Sequence, residues 1–394
     1  MKKKFELKKL KQLLHSACQE GKIEEVQQLL NDNPQLNPNC QKDPGWTPLL
    51  IACQEGYIEI VKLLLNDERV EVNKTGQDDS TPFYIACSKG GTEIVKLLLN
   101  DKRVDINKAN NDGETPFYVA CLNGYIEVVK VLLNDKRVDV NKANRIGGTS
   151  FYAVCKNGHL EIVKLLLNDG RVDINKANND GETPFYVACL NGYIEVVKVL
   201  LNDKRVDVNK ANRIGGTSFY AVCKNGQIKI VKLLLNDNRI DLNKGNADNE
   251  TPFFIACHNG HIEIVKLLLN DERIDVTKVS DFSESPIWTA CFWGYVNIVQ
   301  EILASGRYVN VTTKDRKGRT PSFIAIERGR FKVTKAIFSE IAELMDSFQD
   351  KPEETRLKVR IQLGFAGKLI IYLIFSLSTL IFCFFFFLTF ISRQ

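Results

Sequence analysis

TPFYVACLNGYIEVVKVLLNDKRVDVNKANRIGG, running from Thr115 to Gly148, is the stretch on which the reading of the whole chain turns. Thr115 is a residue type that caps helix N-termini, and Pro116 suits the first helical position. Phe117, Ala120 and Cys121 fall at i, i+3 and i+4, one apolar face of a short helix. Gly124 supplies a left-handed stop. A second helix is expected from about Tyr125 to Leu133. Ile126, Val129, Leu132 and Leu133 form its apolar stripe, widened by Val128 and Val131. Glu127 and Lys130 sit three apart on the outer face. Val138-Asp139-Val140 alternates like a short strand edge, and the segment onward to Gly148 is rich in turn residues.

Two short helices cannot bury two apolar faces alone, so this stretch must stack on copies of itself. The copies are present. The opening Thr recurs at 47, 81, 115, 149, 183, 217 and 251, in steps of 34 residues. Ser285 continues the series and Thr320 comes one residue late. Arg103–Gly158 is repeated identically as Arg171–Gly226, a shift of 68, so a block of two repeats has been copied whole.

These repeats resemble the ankyrin repeat family, over roughly residues 9–347. The matching residues are Thr-Pro-Leu/Phe, then Ala, then Gly, then Ile-Val-Lys-Leu-Leu-Leu, as in Thr81-Pro82-Phe83, Ala86, Gly90 and Ile94 to Leu99. Three departures stand out. The family's His after Thr-Pro-Leu is Leu50, Tyr84, Tyr118, Tyr152, Tyr186, Tyr220, Phe254, Trp288 or Phe323 here. The repeats opening Thr149-Ser150 and Thr217-Ser218 lack the Pro. The period is 34, one more than the family's usual length. The resemblance implies an all-α solenoid of about ten helix pairs whose long loops fold as projecting β-hairpins. With helix layers ~8–10 Å apart, that is a curved rod on the order of 90 Å long.

Composition narrows the function. Nine cysteines (18, 53, 87, 121, 155, 189, 223, 257 and 291) occupy one helix position, one per repeat. Stacked equivalents lie too far apart to bridge, and no Cys-x2-Cys pair offers a zinc site. Buried small side chains in a reducing compartment are the expectation. A net charge of +5 on 394 residues makes no case for nucleic acid. The histidines His15, His159, His258 and His261 form no catalytic or metal constellation, and no phosphate loop or paired-acid arrangement appears. No enzyme activity, cofactor or small-molecule substrate is expected. An Arg ladder at 69, 103, 137, 171, 205, 239, 273 and 307 has an Asp two residues before each of its first seven members. Loop-closing ion pairs are the plain reading, an anion track the alternative.

The chain divides into a basic N-terminal segment with a capping helix pair (1–45), the repeat array (46–318), a C-terminal capping repeat (319–348), a charged linker (349–368) and an apolar segment (369–391). Leu369 to Ile391 holds no charged residue over 23 positions, enough for a transmembrane helix. The basic residues preceding it place the repeats in the cytosol. Without a signal peptide the arrangement is tail-anchored, the endoplasmic reticulum fitting better than the mitochondrial outer membrane. A cleaved lipid-anchor signal is the competing reading.

In the resembling family, partners meet hairpin tips and exposed residues of the first helices. Those positions here are the tips Arg145-Ile146 and Arg213-Ile214, and the helix residues Leu122, Lys156, Leu190 and Lys224. Copying without selection explains their repetition equally well. Phe282 at a tip, with Phe292 and Trp293 on a helix, are large apolar groups where other repeats carry no Phe or Trp, so this irregular repeat is the preferred contact site. Packing against the final cap is its alternative. The expected function is a non-enzymatic protein-interaction scaffold at a membrane. The other candidate is a structural tether or spacer whose transmembrane helices self-associate.

Overall fold

A computed structural model describes residues 2–43, 45–328 and 335–363. Twenty-one helices and no strand occur among them. The chain forms two compact units, Met1–Arg213 and Ile214–Gln394. The first contains α1 (Lys2–Gln19), α2 (Ile23–Asp32), α3 (Pro48–Glu55), α4 (Ile58–Leu65), α5 (Pro82–Ser88), α6 (Thr92–Asn100), α7 (Pro116–Leu122), α8 (Ile126–Leu133), α9 (Ser150–Asn157), α10 (Leu160–Leu167), α11 (Pro184–Leu190) and α12 (Ile194–Asn202). The second contains α13 (Ser218–Lys224), α14 (Ile228–Leu235), α15 (Pro252–His258), α16 (Ile262–Leu269), α17 (Pro286–Trp293), α18 (Val296–Ala304), α19 (Pro321–Arg328), α20 (Lys335–Asp350) and α21 (Pro352–Gln362). Within each unit the odd-numbered helices, to α19, stack in an inner row and the even-numbered ones, to α20, in an outer row.

Each inner helix begins where its cap predicts. The Thr115 hydroxyl accepts from the Tyr118 amide at 3.0 Å, and every opener from Thr47 to Ser285 does the same for its own repeat. Gly124 takes φ +79° at the end of the pair's first helix. The inner helix is buried along nearly its whole length, Pro116 to Cys121 included. Its Phe117 belongs to a column with Phe83, Phe151 and Phe185, each 1 % exposed. Each such ring stabilises the stack by about 2–3 kcal/mol relative to exposure. The column of thiols beside them is buried and unbridged.

The segment expected as a strand edge is not one. Val138 and Val140 are buried, yet the backbone around them turns, because its partners are side chains. Asn107 donates from Nδ2 to the Arg137 carbonyl (2.8 Å) and accepts from the Asp139 amide (2.9 Å). Asn39, Asn73, Asn141 and Asn175 do likewise for the repeats that follow them, as does Asn243 in the second unit. An asparagine amide thus does the work of a β-ladder between successive repeats.

The Arg ladder also bonds across repeats. Arg137 grips Asp135 through Nε and Nη2 and donates from Nη2 to the Leu99 carbonyl at the end of α6, 2.9 Å away. It caps the preceding outer helix at its negative end. The side-chain hydrogen bond from Arg137 holds the Asp135 carboxyl below its ordinary range. Arg103 and Arg171 repeat the pattern, so these guanidinium groups are engaged and form no open anion track.

The expected charged linker is in part structured. α21 starts at Pro352 with Glu353 and Glu354 in its first turn, a favourable helix opening. Thr355 and Val359 are buried against α18 and α20. Arg360 donates to the Ala304 carbonyl at 2.7 Å, capping α18 as the ladder arginines cap other outer helices. The charge count of this stretch concealed a four-residue spacing that buries one side. α20 reaches Asp350, two residues past its expected end. The apolar segment Leu369–Ile391 lies outside the described residues. Among the described residues no helix is long and apolar enough to cross a membrane.

The missing prolines leave a mark. Ser150 and Ser218 hold the place of Pro116, and their hydroxyls are buried without a hydrogen-bond partner among the described residues. The Cys121 thiol beside Ser150 is too weak a partner to compensate. Ser150→Pro should therefore raise stability by about 1 kcal/mol, by removing a buried polar group and pre-setting the first helical φ. Chemical denaturation read by circular dichroism checks this, and Ser218→Pro should act alike.

Candidate protein-interaction surface

The long loops end in tight turns stitched edge to edge within each unit. The Arg145 amide donates to the Asp112 carbonyl of the preceding turn (2.9 Å), and the Ile146 carbonyl accepts from the Asn179 amide of the next (2.9 Å). Arg213 N–H donates to Asp180 O at 2.8 Å, and Ala247 N–H to Ile214 O at 2.8 Å. Gly147 turns back at φ +78° against Asn179, where a Cβ would lie 2.4 Å from the amide oxygen. Ile146 and Ile214 are each 53 % exposed, and Arg145 and Arg213 are exposed beside them.

Leu122, Lys156, Leu190 and Lys224 lie at the opposite ends of their helices. Lys156 and Lys224 are exposed, whereas Leu122 and Leu190 are half-buried. Their carbonyls are used structurally: Leu122 O accepts from Asn157 Nδ2 (3.1 Å) and lies 3.0 Å from His159 Nε2. A seven-residue helix is about 10 Å long, so within each unit the tips and these helix ends are separate places on the surface.

The tyrosines that replace the family's His have a partner in the following turn. Tyr118 Oη accepts from Asn144 Nδ2 at 3.0 Å, and Tyr152 Oη accepts from Asn178 at 3.1 Å while donating to Glu182 at 3.1 Å. Burial, then the Glu114 carboxylate, push the Tyr118 phenol up to about 12. These hydroxyls hold turns in place.

In the second compact unit the aromatic residues of the irregular repeat come together. Phe292 stacks on Trp288 (centroids 5.4 Å apart) and meets Trp293 edge-on at 5.1 Å. Trp293 in turn meets the His258 ring at 5.3 Å, and His258 stacks on Phe254 at 6.2 Å. The Arg328 guanidinium lies 4.2 Å over the Phe292 ring, and Arg319 lies 5.5 Å over Trp288. These residues belong to α15, α17 and α19 and to the turn before α19. Trp288 is buried and anchors the group, Phe292 is partly covered, and Trp293 is 43 % exposed. Phe282, 47 % exposed beneath Arg316, sits at the turn before α17, a helix length from Trp293. Arg328, His258 and Phe254 are members that the sequence reading did not single out. Their signal is register: His258 stands one repeat before Phe292.

The remaining histidines have fixed places. His15 lies between the Lys11 and Trp46 carbonyls, and His261 Nε2 lies 2.9 Å from the Lys224 carbonyl. Among the described residues no cluster of His, Cys, Asp and Glu is arranged to hold a metal ion. Burial pushes the column thiols far above their ordinary range.

Caps, inner and outer helix rows and stitched turns define an all-helical repeat protein of the protein-interaction class. The family model for ankyrin repeats in three copies matches residues 3–76, 68–144, 136–212 and 204–280, and the chain belongs to the ankyrin repeat family. A search of curated proteins returned no match. The aromatic cluster on α17 lies past the matched span.

The Trp293 indole can only donate, and it points at His258 Nδ1 from 3.4 Å, with the Thr289 hydroxyl 3.1 Å from the same nitrogen. Nδ1 is therefore the acceptor and the proton resides on Nε2. Burial lowers the His258 pKa, Glu250 opposing and Lys224 reinforcing. A depressed histidine contributes stability that is complete above its unfolded value and declines as pH falls below it. The Trp293 indole N–H resonance, assigned with Trp293→Phe, should thus shift at a pH below the ordinary histidine range. A titration within or above that range counts against this contact.

Proposed function

We propose that the chain is a non-enzymatic scaffold that binds a protein partner through the aromatic surface on α15, α17 and α19. One observation carries this reading. Large aromatic side chains, with Arg and His between them, face outward where the equivalent places in the other repeats, from Gln54-Glu55 to His258-Asn259, hold no Phe, Tyr or Trp. Tryptophan and arginine over a buried aromatic base are the residue types that dominate interface energetics.

Replacing Phe292 and Trp293 together with Ser should weaken capture of the partner by roughly thirtyfold, since truncating such anchors removes about 2 kcal/mol. Proximity labelling in cells identifies the partner, and titration calorimetry with purified components measures the loss. The melting temperature should stay near that of the parent. A large fall in it would assign these side chains to the core, and unchanged affinity would place the contact elsewhere.

The finer part of this reading is membrane tethering through Leu369–Ile391, with the repeats on the cytosolic face of the endoplasmic reticulum. The uncharged length of the segment supports it, and tethering raises the local concentration of repeats and partner. Asn73-Lys74-Thr75, Asn249-Glu250-Thr251 and Asn310-Val311-Thr312 are glycosylation sequons. In this orientation none is modified. A mobility shift on glycosidase treatment of the chain from membranes reverses the topology. The structural tether is favoured by α21, which joins the repeats to the following segment through a packed helix. Crosslinking between Lys368–Gln394 segments supports that second reading.

A further inference from the structure

In a stacked array each inner helix turns one row of side chains toward the repeat that follows. In the second compact unit this row holds Tyr220 and Cys223 on α13, Phe254 and Cys257 on α15, and Trp288 and Cys291 on α17, none more than 2 % exposed. The same two places on α19, counted from the start of the helix, are Phe323 and Ile326, and each is 51 % exposed. Nothing among the described residues covers them.

A terminal repeat ordinarily closes a soluble array with a polar outer face. α20 does so, with Glu343, Asp346 and Asp350 exposed, while Glu340 accepts from Gln300 on α18 of the preceding repeat; Asp346 lies beside α19 through a 2.6 Å hydrogen bond from Ser322. The inner helix does not. The turn leading into α19 exposes Lys314 and Lys317. The end of the array therefore carries a basic turn, an apolar helix face and an acidic helix.

Such a face is complementary to itself. A two-fold rotation lays the Phe323–Ile326 face of one copy on that of another and sets the basic turn of each against the acidic helix of its mate. We propose that the exposed face of α19 and α20 is an isologous interface between two copies of this chain. Like-on-like apolar contact drives it, and opposite charges fix its register. The proposal is independent of the aromatic surface, because Phe323 and Ile326 are absent from that cluster of ring contacts.

Sedimentation equilibrium of the full-length chain, in density-matched detergent, tests it. The unmodified chain should reach the mass of two chains and stop there. Phe323→Ser with Ile326→Ser should raise the dissociation constant at least tenfold while leaving the dilute chain's thermal melt in place. Lys314→Glu with Lys317→Glu should weaken pairing, Glu343→Lys with Asp350→Lys should weaken it also, and all four together should restore it. A single-chain mass at every concentration overturns the proposal, as does a mass that grows without limit. Pairing that survives loss of Phe323 and Ile326 overturns it too, placing self-association in residues 364–394. If the Phe323/Ile326 variant melts early, the charge-reversal series decides alone, and its failure to restore pairing sinks the idea.

Discussion

An ankyrin helix pair has more apolar surface than its two helices can hide from water in each other. That imbalance governs this protein. The inner helix of each repeat buries both sides only if a neighbour lies on each side, so every repeat is incomplete by itself. The phenylalanine column and the buried thiols beside it exist in solvent-free surroundings only because the row continues.

Much of this was legible from residues 115–148. The Thr caps, the Gly stops and the two apolar stripes act within a few residues of chain, and they place the helices to within about one residue. Cross-repeat chemistry was harder to see. Asn107 looks like any turn residue, but its amide links Arg137 and Asp139, about thirty residues on, and its partners are backbone atoms with no signature in sequence. The alternation of Val138 and Val140 was read as strand because burial has the same period there, although side-chain amides supply the bonds. α21 was hidden by its charge, since Arg356 and Arg360 read as solvated residues and instead reach toward α18.

The candidate contact residues divide along the same line. Phe282, Phe292 and Trp293 stood out because they break a repeating pattern, which sequence displays well. The grouping of Phe292 and Trp293 with His258 and Arg328 depends on which helices lie side by side, and only the structure supplies that. The duplicated Arg-Ile tips are exposed as expected, yet each apolar tip is flanked by polar ones, because the copied block is two repeats long. Surface composition was readable residue by residue, whereas contiguity was not.

The column of buried cysteines has a chemical corollary. A thiol pushed far above its ordinary ionisation range and sealed between inner helices is inert to alkylating agents until its own repeat opens. The protein therefore carries, in nearly every repeat, a latent reporter of local breathing. The order in which these nine sulfurs take up a small electrophile would trace where each compact unit frays first and how far the fraying spreads.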